Sequence, residues 1–159
     1  MIKGLIISGF PGIGKTTAER VCRESLDCES TPFHYAFDPN SQFGVEKENS
    51  NWVTEYVDFI ENSAKDGKYN FIFISSHLKV REELDMRMIP YIVVVPRKEL
   101  KDEYLARYVK RGDCAEFIIE VSESWNEWLD EIEKNAPAIV HLEAGQVLSD
   151  ILPIPQLRG

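Results

Sequence analysis

Four short apolar runs punctuate the chain, at residues 4–8, 70–75, 91–95 and 138–142, and they are rich in Ile and Val. Runs of this length and composition are expected of strands covered on both faces. A weaker candidate, residues 33–37 (FHYAF), owes its strand character to aromatic content. Between these runs, apolar positions recur at helical spacing. Residues 16–26 follow the first run. Within 51–64, Trp52, Tyr56, Phe59 and Ile60 share a face, and Asp66-Gly67 ends the pattern. Within 98–111, Leu100, Tyr104 and Tyr108 lie four apart. The longest pattern, 114–134, carries Phe117, Ile118, Val121, Trp125, Trp128, Leu129 and Ile132 and stops at Asn135-Ala136-Pro137. Strands alternating with helices predict an α/β fold of three layers, a parallel five-stranded sheet with helices on both faces. The aromatic stripes are read as core packing, not as stacking surfaces.

Length and composition fit that picture. The 159 residues are expected to form a single domain over 1–159. A chain of this size buries roughly two-thirds of its unfolded surface and needs no disulfide or metal staple. Cys22, Cys28 and Cys114 form no CxxC pair and suit small buried or idle thiols in a reducing compartment. The first ten residues, MIKGLIISGF, are too short to cross a bilayer and lack a signal's basic region and cleavage site. The expected location is therefore cytoplasmic, with no membrane partner. Eighteen Lys and Arg face 27 Asp and Glu, a net charge of −9, which speaks against a chain coated in basic side chains. The charge is uneven, however: net −4 over 1–78, +3 over 79–111 and −8 over 112–143. The one positive stretch permits local contacts with nucleic-acid phosphates.

The most specific chemistry lies just after the first run. Gly9-Phe10-Pro11-Gly12-Ile13-Gly14-Lys15-Thr16 matches G-x4-G-K-[ST], and Thr17 follows. An apolar strand precedes it and an amphipathic helix follows, the context the motif requires. Glycines allow consecutive backbone N–H groups to turn inward around a polyphosphate. Lys15 reaches the β/γ oxygens, and Thr16 offers a hydroxyl to Mg²⁺. ATP or GTP, with Mg²⁺, is the expected ligand of this loop.

Absences narrow its use. No N-K-x-D guanine-reading motif occurs, which weighs against a GTPase, and no apolar strand ends in the aspartate that usually assists Mg²⁺. The run 71–74 passes instead into Ser75-Ser76-His77. Ser75 either holds Mg²⁺ through a water or is a simple turn residue. His77 is read either as a functional imidazole or as a surface or packed one. Asp38, at the end of the aromatic run, stands where ligands gather outside the carboxyl ends of sheet strands. It is either the base that accepts the proton of an attacking hydroxyl or an Asp-Pro turn starter before Pro39. Arg107 and Arg111, four apart before Gly112, form either a lid around 107–114 that closes on a triphosphate or a solvated basic face.

Taken in order, these residues resemble a family: small P-loop kinases of the thymidylate-kinase-like group, encoded largely by bacteriophages, and nearest among them the 5-hydroxymethyluridine DNA kinases. The resemblance rests on GFPGIGKTT, FDPNSQF, FIFISSHLKVREEL and YIVVVPRKELKDEYLARYVKRGD, and so spans most of the chain. It implies a nucleoside- or nucleotide-kinase-like fold, an ATP site over residues 9–17 and a lid at Arg107 and Arg111. It sets Asp38, Ser75, Ser76, His77 and Arg81 near the acceptor and implies a host-cytoplasmic location for a phage-encoded protein. FDPNSQF departs from the more serine-rich stretch expected there. An arginine census bears on the acceptor separately. No arginine lies within 28–79, the region where a monophosphate kinase usually carries a guanidinium for the acceptor's phosphate. The expected acceptor is accordingly a neutral hydroxyl on a nucleoside or on a base within DNA. A free nucleoside or nucleotide kinase and a non-catalytic ATP-binding module are the alternatives.

Overall fold

The structure, a computed structural model, describes residues 1–37 and 46–153. In chain order its elements are β1 (Leu5–Gly9), α1 (Lys15–Val21), β2 (Ser25–Asp27), α2 (Thr31–His34), β3 (Tyr35–Phe37), β4 (Glu46–Glu48), α3 (Trp52–Asp66), β5 (Phe71–Ser75) and α4 (Leu78–Met86). There follow β6 (Ile92–Pro96), a 3₁₀ turn (Lys98–Leu100), α5 (Lys101–Lys110), α6 (Ala115–Asn135), β7 (Ile139–Leu142) and α7 (Leu148–Ile151). Five strands form a parallel sheet in the order β2-β5-β1-β6-β7, which is 2-3-1-4-5 when only its own strands are counted. Ser25 pairs with Phe71 through to Asp27 with Phe73, and Val93 pairs with Ile139 through to Pro96 with Leu142. Phe71–Ile74 are buried without a break, as are Val93, Val94 and Val95. Successive strand residues point to opposite faces, so burial of every one means that both faces are covered.

The second sheet strand is not the aromatic run. Phe33 and His34 belong to α2, and Tyr35–Phe37 pairs antiparallel with Glu46–Glu48 in a separate two-stranded ribbon. Aromatic residues favour any pleated pairing and do not say which partner it will be. The true second strand is Ser25–Asp27, which the helical reading of 16–26 had absorbed. Helix α1 ends at Val21, Cys22 is already extended, and Glu24 turns the chain in the left-handed region at φ 54°. Asn70 N–H then donates to Glu24 O at 2.6 Å and sets β2 alongside β5. A strand of three residues, Ser-Leu-Asp, carries no period to read. Helix α4 was likewise invisible to periodicity, since it buries only Val80, Arg81 and Leu84. The helix expected over 98–111 begins as a 3₁₀ turn and becomes α-helical at Lys101.

The chain divides into two compact units, Met1–Ser8 with Glu24–Tyr91, and Gly9–Arg23 with Ile92–Gly159. In the first, α3 lays Tyr56, Val57, Ile60 and Ala64 into the core, packing on β5 and α4. In the second, α5 packs on α6, and Trp125 takes Phe10 edge-on at 5.3 Å and Tyr104 at 5.8 Å. No helix among the described residues is long and apolar enough to cross a membrane.

Candidate functional site

The glycine-rich loop leaves β1 at Gly9 and enters α1 at Lys15. Two apolar side chains anchor it: Phe10 and Ile13 are buried in the second unit. Phe10 N–H donates to Val94 O at 3.0 Å, continuing the sheet pairing past the end of β1. Ile13 N–H turns back to Phe10 O at 3.3 Å. Gly12 and Gly14 hold φ of 90° and 99°, values that L side chains rarely adopt. A Cβ at Gly12 would also lie 2.7 Å from the Tyr108 ring, so that position is closed twice over.

The carbonyls of this loop are all engaged. Pro11 O accepts from Tyr108 Oη at 2.7 Å, Gly12 O from Arg107 Nη1 at 2.9 Å, and Ile13 O from Leu148 N–H at 2.7 Å. Gly14 O starts α1 by accepting from Ala18 N–H at 2.9 Å. Lys15 Nζ donates to Gly9 O at 3.1 Å, folding over the loop's own mouth. Thr16 and Thr17 are exposed on the first turn of α1.

Helix α5 supplies more to this loop than the sequence suggested. Arg107 donates to Gln146 O at 2.8 Å and pairs with Glu103 at 2.9 Å, besides its bond to Gly12 O. Its guanidinium lies 4.2 Å from the Tyr104 ring centroid. Arg111 stands at the end of α5, paired with Asp113 and 5.1 Å from the Tyr108 ring centroid. Burial pushes the Tyr108 and Tyr104 phenols above their ordinary range, so Tyr108 remains a protonated donor at neutral pH. The four-residue spacing of Leu100, Tyr104 and Tyr108 revealed buried rings, but not a hydroxyl directed at the loop.

In the first unit the end of β5 is held by three contacts. Ser8 Oγ donates to Ser75 O at 3.0 Å. Ser75 N–H donates to Tyr56 Oη at 3.1 Å, and that hydroxyl donates in turn to Cys28 O. Arg81, buried in α4, donates from Nε to Ser76 O at 3.0 Å. Ser75, Ser76, His77 and Arg81 therefore lie together. His77 is exposed, with its ring 5.6 Å from Trp52 and 5.8 Å from His34. His34 stacks on Trp52 at 3.9 Å. Burial, with Asp27 adding to it, pushes the Cys28 thiol up to about 12, which marks it as inert. Ser75 Oγ is enclosed and forms no hydrogen bond among the described residues. Asp38 lies outside the described residues. No group of three or more His, Cys, Asp or Glu among the described residues is arranged to hold a metal ion.

No protein-family model matches this chain, and no curated protein matches it. Among solved structures, the tunicamycin resistance protein of Deinococcus radiodurans is similar with a TM-score of 0.58, at 15% identity, over 93% of this chain and 91% of that one. Likeness at this identity concerns the fold. The chain shares with that protein an α/β fold, here with a five-stranded parallel sheet in the order 2-3-1-4-5.

Proposed function

We propose that the chain is an ATP- and Mg²⁺-dependent phosphotransferase that moves a γ-phosphate to a hydroxyl of a nucleoside-type acceptor, with 5-hydroxymethyluridine in DNA preferred. One observation carries the reading. The G-x4-G-K-T loop joins β1 to α1 with three successive carbonyls engaged from outside and two glycines at positive φ. Backbone N–H groups turned the other way suit a polyphosphate. Lys15 Nζ, now on Gly9 O, exchanges that carbonyl for β/γ oxygens.

The donors fit the implied metal. Hydroxyl oxygens suit a hard cation such as Mg²⁺, and the enclosed Ser75 Oγ has no other partner among the described residues. Thr16 and Ser75 would hold the ion, which when bound neutralises phosphate charge. In this reading Asp38 takes the proton of the acceptor hydroxyl while its oxygen attacks the γ-phosphorus and ADP leaves with the bridging oxygen's electrons. Arg111 counters the charge that develops in transit, and Ser76, His77 and Arg81 serve the acceptor side. The absence of arginine from 28–79 supports a neutral hydroxyl over a phosphorylated acceptor.

Radiolabelled ATP with Mg²⁺ tests this against free nucleosides, nucleoside monophosphates, and DNA with or without hydroxymethyluracil. The likeness to a tunicamycin resistance protein adds tunicamycin to that panel. Label is expected on hydroxymethyluracil DNA, and Lys15→Ala should lower the rate about 10²–10³-fold. Label on free nucleosides alone would overturn the DNA acceptor. ATP binding without transfer to any acceptor would overturn the enzyme and leave a nucleotide-binding module.

A further inference from the structure

In a trans peptide the C=O and the N–H of one plane point in opposite directions. Whatever holds a carbonyl therefore also aims the next residue's N–H. Three successive peptides of the loop have their carbonyls held by groups outside it: Pro11 O by Tyr108 Oη, Gly12 O by Arg107 Nη1 and Ile13 O by Leu148 N–H. The N–H groups of Gly12 and Gly14 consequently face away from those donors, and that of Ile13 turns to Phe10 O within the loop. Two of the three donors are adjacent residues of α5, and Arg107 also ties Gln146 O, two residues before Leu148, to the same guanidinium. Glu103 fixes that guanidinium from one turn back and also accepts from Gly145 N–H at 3.1 Å.

We propose that Tyr108 and Arg107 are positioning residues that set the peptide orientation of the glycine-rich loop from outside, so that the N–H face of the loop is assembled before any ligand arrives. This rests on the reading of the loop as a triphosphate site, and it gives Arg107 a different task from that of an arginine closing over the phosphates. The arrangement is costly to leave, because Arg107 is mostly buried and releasing it would strand Gly12 O, Gln146 O and Glu103 together. It also explains why Gly12 tolerates no side chain: the Tyr108 ring occupies that space in order to bring Oη to Pro11 O.

Amide NMR of the unliganded protein tests the positioning, and titration with Mg·ATP tests its consequence. Tyr108→Phe keeps the ring and removes one donor. Arg107→Met removes the other, and Arg107→Lys restores a single charged donor. The Gly12, Ile13 and Gly14 amide signals should move in Tyr108→Phe and Arg107→Met, and less in Arg107→Lys. ATP binding should weaken about 2–10-fold in Tyr108→Phe and about 10–100-fold in Arg107→Met, with Arg107→Lys in between. Unmoved amide signals overturn the proposal. So does wild-type affinity in both variants when the signals have moved. A wild-type protein that binds no triphosphate refutes the triphosphate reading, and the amide signals still decide whether α5 orients the loop.

Discussion

Ser75 Oγ is a buried hydroxyl that forms no hydrogen bond among the described residues, an arrangement that normally costs stability. Its removal should thus be harmless to the fold. Ser75→Ala is expected to change stability by less than about 0.5 kcal/mol, in contrast to the usual penalty for cutting a buried polar contact. If the hydroxyl serves Mg²⁺ through a water, the same variant should raise the Mg²⁺ concentration for half-maximal transfer about tenfold or more. A fall in thermal midpoint with an unchanged Mg²⁺ requirement would assign Ser75 to structure alone. The sequence could bring attention to Ser75 because polar residues ending an apolar strand are conspicuous. It could not do the same for Tyr108 or Tyr56. Their rings satisfy helical periodicity, and periodicity is blind to where a phenol's oxygen goes. Arg107 was visible as a cation, but a guanidinium in a sequence does not reveal that two of its partners are backbone carbonyls.

Between elements, arginine again serves the fold more than its count suggested. Arg87, at the end of α4, pairs with Glu83 at 2.8 Å on its own helix and reaches α3 through Asp58 at 2.8 Å and Glu61 at 3.1 Å. Its side chain is only 20% exposed, and Glu83 and Glu61 are 20% and 26% exposed, so solvent screens those two pairs weakly, while Asp58 is 56% exposed. The Lys98–Asp130 pair makes a useful contrast, with side chains 47% and 64% exposed. Arg87→Met is expected to cost about 1–2 kcal/mol, lowering the thermal midpoint about 2–8 °C, whereas Lys98→Met should cost about 0–1 kcal/mol. Urea denaturation of the two variants compares them directly, and equal losses would mean that α4 is held to α3 by packing alone. Helix α4 shows what periodicity can and cannot supply. Four of the five sheet strands were legible: β1, β5 and β6 because strands buried on both faces must be apolar, and β7, a half-exposed edge strand, because three of its four residues are apolar. The fifth, Ser25–Asp27, and α4 were not. A three-residue edge strand and a helix with three buried positions owe their shape to neighbours, which a local pattern does not contain. The glycine-rich turn from β1 to α1 was legible for the opposite reason: Gly12 and Gly14 stand at positive φ, and such a backbone leaves a spelling behind.

Across the whole molecule the net charge of −9 conceals how the arginines of the positive stretch are used. Within 79–111, Arg87, Arg97, Lys98, Arg107 and Arg111 each pair with a carboxylate, and Arg81 holds a carbonyl. A rise in pH bears on stability separately from these pairs. Three buried phenols carry the effect: Tyr56, Tyr104 and Tyr108 all have their ionisation pushed upward by burial. A phenol that ionises at about pH 10 when unfolded keeps its proton longer in the fold. The unfolded state then binds fewer protons than the native one, so stability falls as pH rises. The stabilising share is intact below about pH 10 and is lost as pH climbs through the folded-state values. Each phenol can contribute a slope of up to about 1.4 kcal/mol per pH unit. Denaturation midpoints should be flat from pH 7 to 9 and should drop above pH 10. Tyr56→Phe starts lower, having lost the bridge between Cys28 O and Ser75 N, yet it should fall less steeply because one titrating group is gone. An alkaline slope identical to that of the unsubstituted chain would show that Tyr56 does not titrate on unfolding and that lysine neutralisation drives the loss.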